Sequence, residues 1–396
     1  VSDYGRWLSF RQAPVSLPPV DSWLEDADHR GLTLYLAERH GLLHPAIAER
    51  RRKNCLRLAK LTAEAARIVG QFQQAGLRAA ILKGFSAQPH FVDNAALRVQ
   101  YDLDFFLSPS HAAQAFQLLR DEGFETLGDH DAGPASHLPA LIRKTGYEWR
   151  GDLFDPDLPI AVELHSRLWN PEFEEIKVEF PGDPLERLER LELSGQAFPV
   201  LAVSDQLIAA TLHHLKHVFR GGVRASQLYE LASFLARRQN DEAFWSTWRG
   251  EQSESLRRVC LAGFLLACAA FDADLPEGLE RERGLLPRGA TEWMEMFSHT
   301  ALQPERSGKA ETLLHLALVN TPGGRAAVLR RRLLPRRLPA ADYNALVPRE
   351  RITWRKRWWA RARASLYLAT RAVAYLRALP GFAWAAARWW WRVRGA

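Results

Sequence analysis

The sequence predicts an α+β fold in which a small mixed β-sheet core is preceded by N-terminal helices and followed by a C-terminal helical region. Three observations carry this expectation. Apolar residues recur at helical spacing over residues 22–77 and again from Ser204 onward. Between those stretches short apolar runs alternate with helix-length segments, the pattern of strands with helices packed on them. A chain of 396 residues, 47% hydrophobic and 25% charged, exceeds one small core and is neither collagen-like nor wholly disordered.

The elements follow in chain order. From Pro45 to Ala75, Ile47, Leu56, Leu58, Leu61, Ala65, Ile68, Val69 and Phe72 fall at roughly helical intervals, closing at Gly76. A strand is predicted at Arg78–Leu82, a turn and helix from Gly84, and a strand at Tyr101–Leu107. A helix over Ser110–Glu122 has Ser108 or Ser110 as N-cap and Gly123 as its stop. Further β segments are expected at Phe124–Leu127, Ala140–Arg150 and Ile160–His165. Beyond Ser204, Leu207, Ile208, Leu212, Leu215, Val218 and Phe219 form one helical face, and Leu228–Leu235 and Leu256–Phe271 two more. The expected division is a helical lead-in at 1–75, a core at 76–200, a helical domain at 201–324 and a basic tail at 325–396.

Cys55, Cys260 and Cys268 cannot build a disulfide framework and form no Cys-x-x-Cys pair, so a reducing cytoplasm is the expected location. Residues 1–14 lack a continuous apolar stretch with a cleavage site, and no secretory signal is read there. The net charge of +7 is unevenly spread. Residues 325–396 hold 18 Lys and Arg against Asp342 and Glu350, a net of +16 that leaves −9 on residues 1–324. Half of the 14 tryptophans lie in that tail, interleaved with arginine. The mixture suits an interfacial helix on an anionic membrane, which would make the protein peripherally associated. Nucleic-acid binding with stacking, or packing on the acidic body, are the other readings, and the acidic body argues against a broad nucleic-acid surface.

The chemistry-bearing stretch runs from Ala79 to Leu107. It reads Ile-Leu-Lys83-Gly84-Phe85-Ser86, a spacer, then Arg98-Val-Gln-Tyr-Asp102-Leu-Asp104-Phe-Phe-Leu. Residues two apart in a strand project to one side, so Asp102 and Asp104 present paired carboxylates while Leu103 and Phe105 face the core. Paired anionic oxygens suit Mg²⁺ or Mn²⁺, hard cations that prefer carboxylates and phosphates. Gly84 and Ser86, after a strand and opening a helix, would cradle a triphosphate on free N–H groups. Lys83 and Arg98 would neutralise its outer phosphates. Glu163, in the second apolar run Ala161-Val-Glu-Leu-His165, supplies a third carboxylate, and His165 shares its face, placed to bind the nucleotide through a phosphate or to orient Glu163.

Plainer readings stand beside these. Asp102 and Asp104 could mark a solvated strand edge, although acidic residues are depleted within strands. Glu163 could be a solvent-facing alternate, and Lys83 and Arg98 simple ion-pair partners of the acidic body. His213 and His217, four apart on one helix, have the spacing of metal ligands but no zinc-protease glutamate, so packing or substrate contact is favoured.

The pattern Leu-Lys83-Gly84, a spacer, Arg98, Asp102-Leu-Asp104 and an apolar pair, then Glu163-Leu-His165, resembles the bacterial nucleotidyltransferase family related to the polymerase β-like superfold, whose members are mostly uncharacterised. The resemblance covers roughly Leu77–Trp169 and extends more weakly to about residue 240 through His213, His214 and His217. It implies Asp102, Asp104 and Glu163 as metal ligands and Gly84 with Ser86 as a phosphate-binding turn. It departs at Phe85, where the superfamily has Ser or Gly after the glycine, and in a longer spacer to Asp102. The implied activity is transfer of a nucleoside monophosphate from ATP or another NTP to an unidentified acceptor (a small molecule, peptide or protein) with release of pyrophosphate. A catalytically inactive nucleotide- or partner-binding protein, or an RNA-directed nucleotidyltransferase, are the alternatives.

Overall fold

The computed structural model describes residues 3–127, 137–222, 224–300, 302, 309–333 and 353–395. The stretch 334–352 of the expected basic tail therefore lies outside the described residues. The fold is mixed α+β, with a seven-stranded sheet between N-terminal and C-terminal helices. The strands are β1 (Ala79–Ile81), β2 (Asp102–Leu107), β3 (Glu125–Thr126), β4 (Leu141–Ile142), β5 (Ala161–His165), β6 (Leu188–Leu193) and β7 (Gln196–Leu201). Their order is β3-β4-β5-β2-β1-β7-β6. β2 runs parallel to β5 and antiparallel to β1, which is parallel to β7.

Alternation in the central strands sorts their side chains between two cores. Leu103, Phe105 and Leu107 of β2 join Val162 and Leu164 of β5 and Ile81 of β1 on one face. The helices Pro45–Gln74 and Pro109–Asp121 cover that face through Leu61, Ile68, Phe72, Ala115 and Leu119. Phe72 and Phe105 meet edge-on at 5.4 Å. The opposite face turns Asp102, Asp104, Glu163 and His165 away from this core. Phe106, on that face, belongs to the other core, with Leu207 and Leu212 of the helix Val203–Phe219 and Leu34 and Leu36 of the helix Thr33–His40.

Several boundaries differ from the sequence expectation. Ser108 is the N-cap, accepting from the His111 amide at 3.3 Å, with Pro109 at the first helical position. The helix expected from Gly84 is a single 3₁₀ turn, Gly84–Ala87. The strand expected over Ala140–Arg150 shrinks to Leu141–Ile142, because Gly146 takes a positive φ and the polar residues beyond Ile142 have no neighbouring strand to pair with among the described residues. The hairpin β6–β7 is absent from the sequence expectation. Its signal is Ser194-Gly195, both at positive φ, the two-residue turn that matches the twist of antiparallel strands.

Candidate active site

The parallel pairing of β2 and β5 sets Asp102 beside Ala161, Asp104 beside Glu163 and Phe106 beside His165. One sheet face therefore carries two carboxylates from β2 and one from β5. The geometry tightens around Asp104, which is 2% exposed. Its Oδ1 accepts from Lys83 Nζ at 2.8 Å and pairs with His165 Nε2 at 2.7 Å. The same His165 nitrogen lies 3.3 Å from Glu163 Oε2. Lys83 reaches this point from the end of β1, so three neighbouring strands converge on one oxygen.

The three carboxylates titrate differently. Burial and the neighbouring Asp104 charge push Asp102 up to about 6, and its side chain has no hydrogen-bond partner among the described residues. Burial would raise Asp104 as well, but the Lys83 ammonium and the His165 hydrogen bond hold it well below the usual carboxylate range. Glu163 is also lowered, against burial, by His165. Burial opposes the charged forms of Lys83 and His165, yet the carboxylates keep both raised.

These groups open on a cleft of about 280 Å³. Its lining includes Lys83, Arg98, Asp102, Asp104, Glu163 and His165 of the expected site. The lining is also cationic: Lys216 and Arg220 come from the helix Val203–Phe219 and its end, with Arg224 just beyond, and Arg220 donates to the buried Glu174 at 2.8 Å. Burial pushes Lys216 down to about 8 and His217 to about 4. Lys216 donates to the Leu168 carbonyl at 3.3 Å, and Arg224 lies over the Tyr101 ring at 5.1 Å.

Gly84 and Ser86 are not part of that lining. Gly84 has φ +73°, and a Cβ there would run into the Gln100 side chain, so the close approach its missing side chain permits is made by Gln100. Gln100 Oε1 accepts from the Phe85 amide at 3.0 Å and its Nε2 donates to the Asp102 carbonyl at 2.6 Å, tying the turn to β2. The Ser86 hydroxyl donates inward to the Leu82 and Lys83 carbonyls, each at 3.1 Å. Arg98 lines the cleft with its charge already matched. Its Nε donates to both oxygens of Glu230 at 2.9 and 3.1 Å, and Tyr35 donates to the same carboxylate at 2.9 Å.

Sequence reasoning did not single out Lys216, Arg220, Arg224, Gln100 or Glu230. For Lys216 a signal existed, since it sits three residues after His213 on the face the histidines define. Gln100 and Glu230 carry no motif. Their roles depend on a turn and a helix meeting β2 in space.

The donor set fits a hard divalent cation. Asp104, Glu163 and His165 each offer a ligand atom, all within 4.8 Å of one another. Asp102 stands outside that trio, on the same face of β2. Its charged form is disfavoured first by burial and then by the Asp104 charge, and a cation would relieve both. A mixed sheet presenting carboxylates from two parallel strands to a basic cleft defines a protein of the nucleotidyltransferase-like class. Residues 31–272 match the family described as "Uncharacterised nucleotidyltransferase", and the chain belongs to that family. It is similar to the crystal structure of an antigenic nucleotidyltransferase-like protein from Paracoccidioides brasiliensis, at 14% identity over 54% of this chain and 93% of that chain, with a TM-score of 0.31. No curated protein matches the chain.

Proposed function

We propose that this protein is a metal-dependent nucleotidyltransferase, moving a nucleoside monophosphate from an NTP to a small-molecule, peptide or protein acceptor and releasing pyrophosphate. The observation that carries the reading is the cleft itself, whose lining brings together Asp102, Asp104 and Glu163 with Lys216, Arg220 and Arg224. Such a lining of both signs suits a polyphosphate that travels with its own cation. Asp102 and Asp104, with Glu163 or His165, would hold Mg²⁺ or Mn²⁺, which when bound offsets phosphate charge and polarises the transferring phosphoryl group. Lys83 and His165 keep Asp104 ionised and fixed in place. Lys216, Arg220 and Arg224 bind the outer phosphates and steady the leaving pyrophosphate. Glu163, with a quarter of its side chain exposed, opens further to the cleft than Asp104. It orients the acceptor and takes its proton as the acceptor oxygen bonds to the α-phosphorus and the bridging oxygen departs with pyrophosphate.

A second reading, a nucleotide- or partner-binding protein without catalysis, is favoured by one observation: Gln100 fills the space beside Gly84 where a phosphate-binding turn was expected. Calorimetric titration of a non-hydrolysable NTP panel, with and without Mg²⁺ or Mn²⁺, on wild type and an Asp102→Asn, Asp104→Asn double variant separates the two. Metal-dependent binding that is lost in the variant is expected. Binding that ignores metal, with no pyrophosphate released from hydrolysable NTPs, supports the second reading, and no binding in any condition sinks the first.

A further inference from the structure

The C-terminal helix, Trp354–Arg394, takes no part in the sheet or the cleft. One of its faces holds it to the body. Ala385 is buried there, Trp389 Nε1 donates to the Gly289 carbonyl at 2.7 Å, and Arg392 reaches Glu295 at 3.3 Å. The face turned away is apolar. Leu366, Val373, Leu376, Trp384 and Trp391 recur at helical spacing and are exposed, Leu376 at 68% and Trp391 at 74%. Between residues 366 and 391 this stripe covers roughly 38 Å of helix length.

We propose that this face lies in the surface of an anionic lipid bilayer. Four observations choose this occupant. A contiguous apolar stripe of this length on a soluble surface marks an interaction site. Cations flank it: Arg377 and Arg388 are exposed, Arg388 sits over the Trp384 ring at 4.5 Å, and Arg394 over Trp390 at 4.2 Å. Tryptophan beside arginine suits the headgroup level, where the ring is half in hydrocarbon and the guanidinium meets lipid phosphate. Finally, the +16 carried by residues 325–396 favours anionic lipid and opposes docking against the same segment of a second copy. No helix among the described residues is long and apolar enough to cross a membrane, so the helix lies along the surface. Nucleic acid would use the arginines but leave Val373, Leu376 and Leu379 facing water, which is why lipid is the favoured partner.

The test is flotation of the full chain with vesicles of phosphatidylcholine alone or mixed with phosphatidylglycerol, read alongside tryptophan emission. Wild type is expected to float with the anionic vesicles at least ~10-fold more strongly than with neutral ones, with a blue-shifted emission. Leu376→Glu with Leu379→Glu should abolish flotation. Arg377→Glu with Arg388→Glu should weaken it on anionic vesicles only. All four positions are exposed, so thermal unfolding and NTP binding should stay as in wild type, separating loss of docking from loss of fold or site. Equal flotation of wild type and the leucine variant, or no flotation at all, overturns the proposal. So does retention on RNA or DNA, or self-association in ultracentrifugation, in a chain that ignores vesicles.

Discussion

At the residue scale, the site trades stability for charge. Asp102 is pushed up to about 6 by burial and by Asp104, so between the ordinary carboxylate value and about pH 6 the folded chain holds a proton there that the unfolded chain has released. Its contribution opposes folding increasingly as pH rises from the ordinary carboxylate value toward 6, and fully above it. Asp102→Asn is therefore expected to stabilise the metal-free protein at pH 7 by on the order of 1–3 kcal/mol, with the gain vanishing below about pH 4. Thermal unfolding of both chains from pH 4 to 8 checks this, and an equal gain at every pH would contradict it. Asp104 has the opposite sign, its stabilisation being present at neutral pH and lost only in acid. Lys216 gives a second prediction. Burial holds it near 8, and an incoming triphosphate favours its charged form, so NTP binding at pH 8.5 should take up protons. Calorimetry in buffers of different ionisation enthalpy reads the uptake directly. Lys216→Met should remove it and weaken binding ~10-fold, about 1.4 kcal/mol.

At the element scale, the turn after β1 and the start of β2 are one unit. Gly84 adopts φ +73° and leaves room for Gln100, whose amide joins the Phe85 N–H to the Asp102 carbonyl. Gly84→Ala meets both a left-handed backbone and the Gln100 side chain, and should cost at least about 1–2 kcal/mol in denaturant unfolding. Because Gln100 is displaced, metal-dependent NTP affinity should fall with it. Adding Gln100→Ala should recover part of the stability and none of the affinity. This glycine is conspicuous in the sequence, yet its sequence reading as a phosphate cradle does not match its surroundings. The partner that needs the space sits sixteen residues away and carries no motif of its own. The hairpin β6–β7 escaped the sequence reading although Ser194-Gly195 marks its turn, whereas β3 and β4 fall inside the expected segments Phe124–Leu127 and Ala140–Arg150 but keep only two residues each.

At the scale of the whole molecule, the helices before the sheet and those that follow it share a core. Trp23, Leu24, Leu32, Leu34 and Leu36 are buried with Leu207, Leu212, Leu231 and Phe234, and Tyr35 reaches across to the Glu230 that binds Arg98. Removing residues 1–44 would expose that surface and leave Glu230 without its tyrosine. The truncated chain is expected to lose cooperative thermal unfolding, whereas retention of a wild-type melting transition would show that the lead-in is dispensable. The long helix Pro45–Gln74 crosses to the sheet's other face, so the segment before residue 76 serves both cores. Periodicity identified these helices, but it says which face of a helix is apolar and not what that face meets.

The sequence by itself determined the α+β class, the strands bearing Asp102, Asp104 and Glu163, and the sharing of one face by the β2 pair. Each follows from local periodicity and from the cost of placing acidic residues in an apolar strand. Tertiary structure alone decided that β5 lies parallel to β2 with Glu163 beside Asp104, that Lys83 and His165 meet at one Asp104 oxygen, and that Glu230 claims Arg98. It also decided which cations join the carboxylates in the cleft and which face of the C-terminal helix is left to solvent. The physical reason is range. Backbone geometry makes strand and helix faces predictable from neighbours a few residues apart. Strand order, register and the balance of buried charge depend on groups brought together from far along the chain, as His165 is to Asp104 across 61 positions and Glu230 to Arg98 across 132.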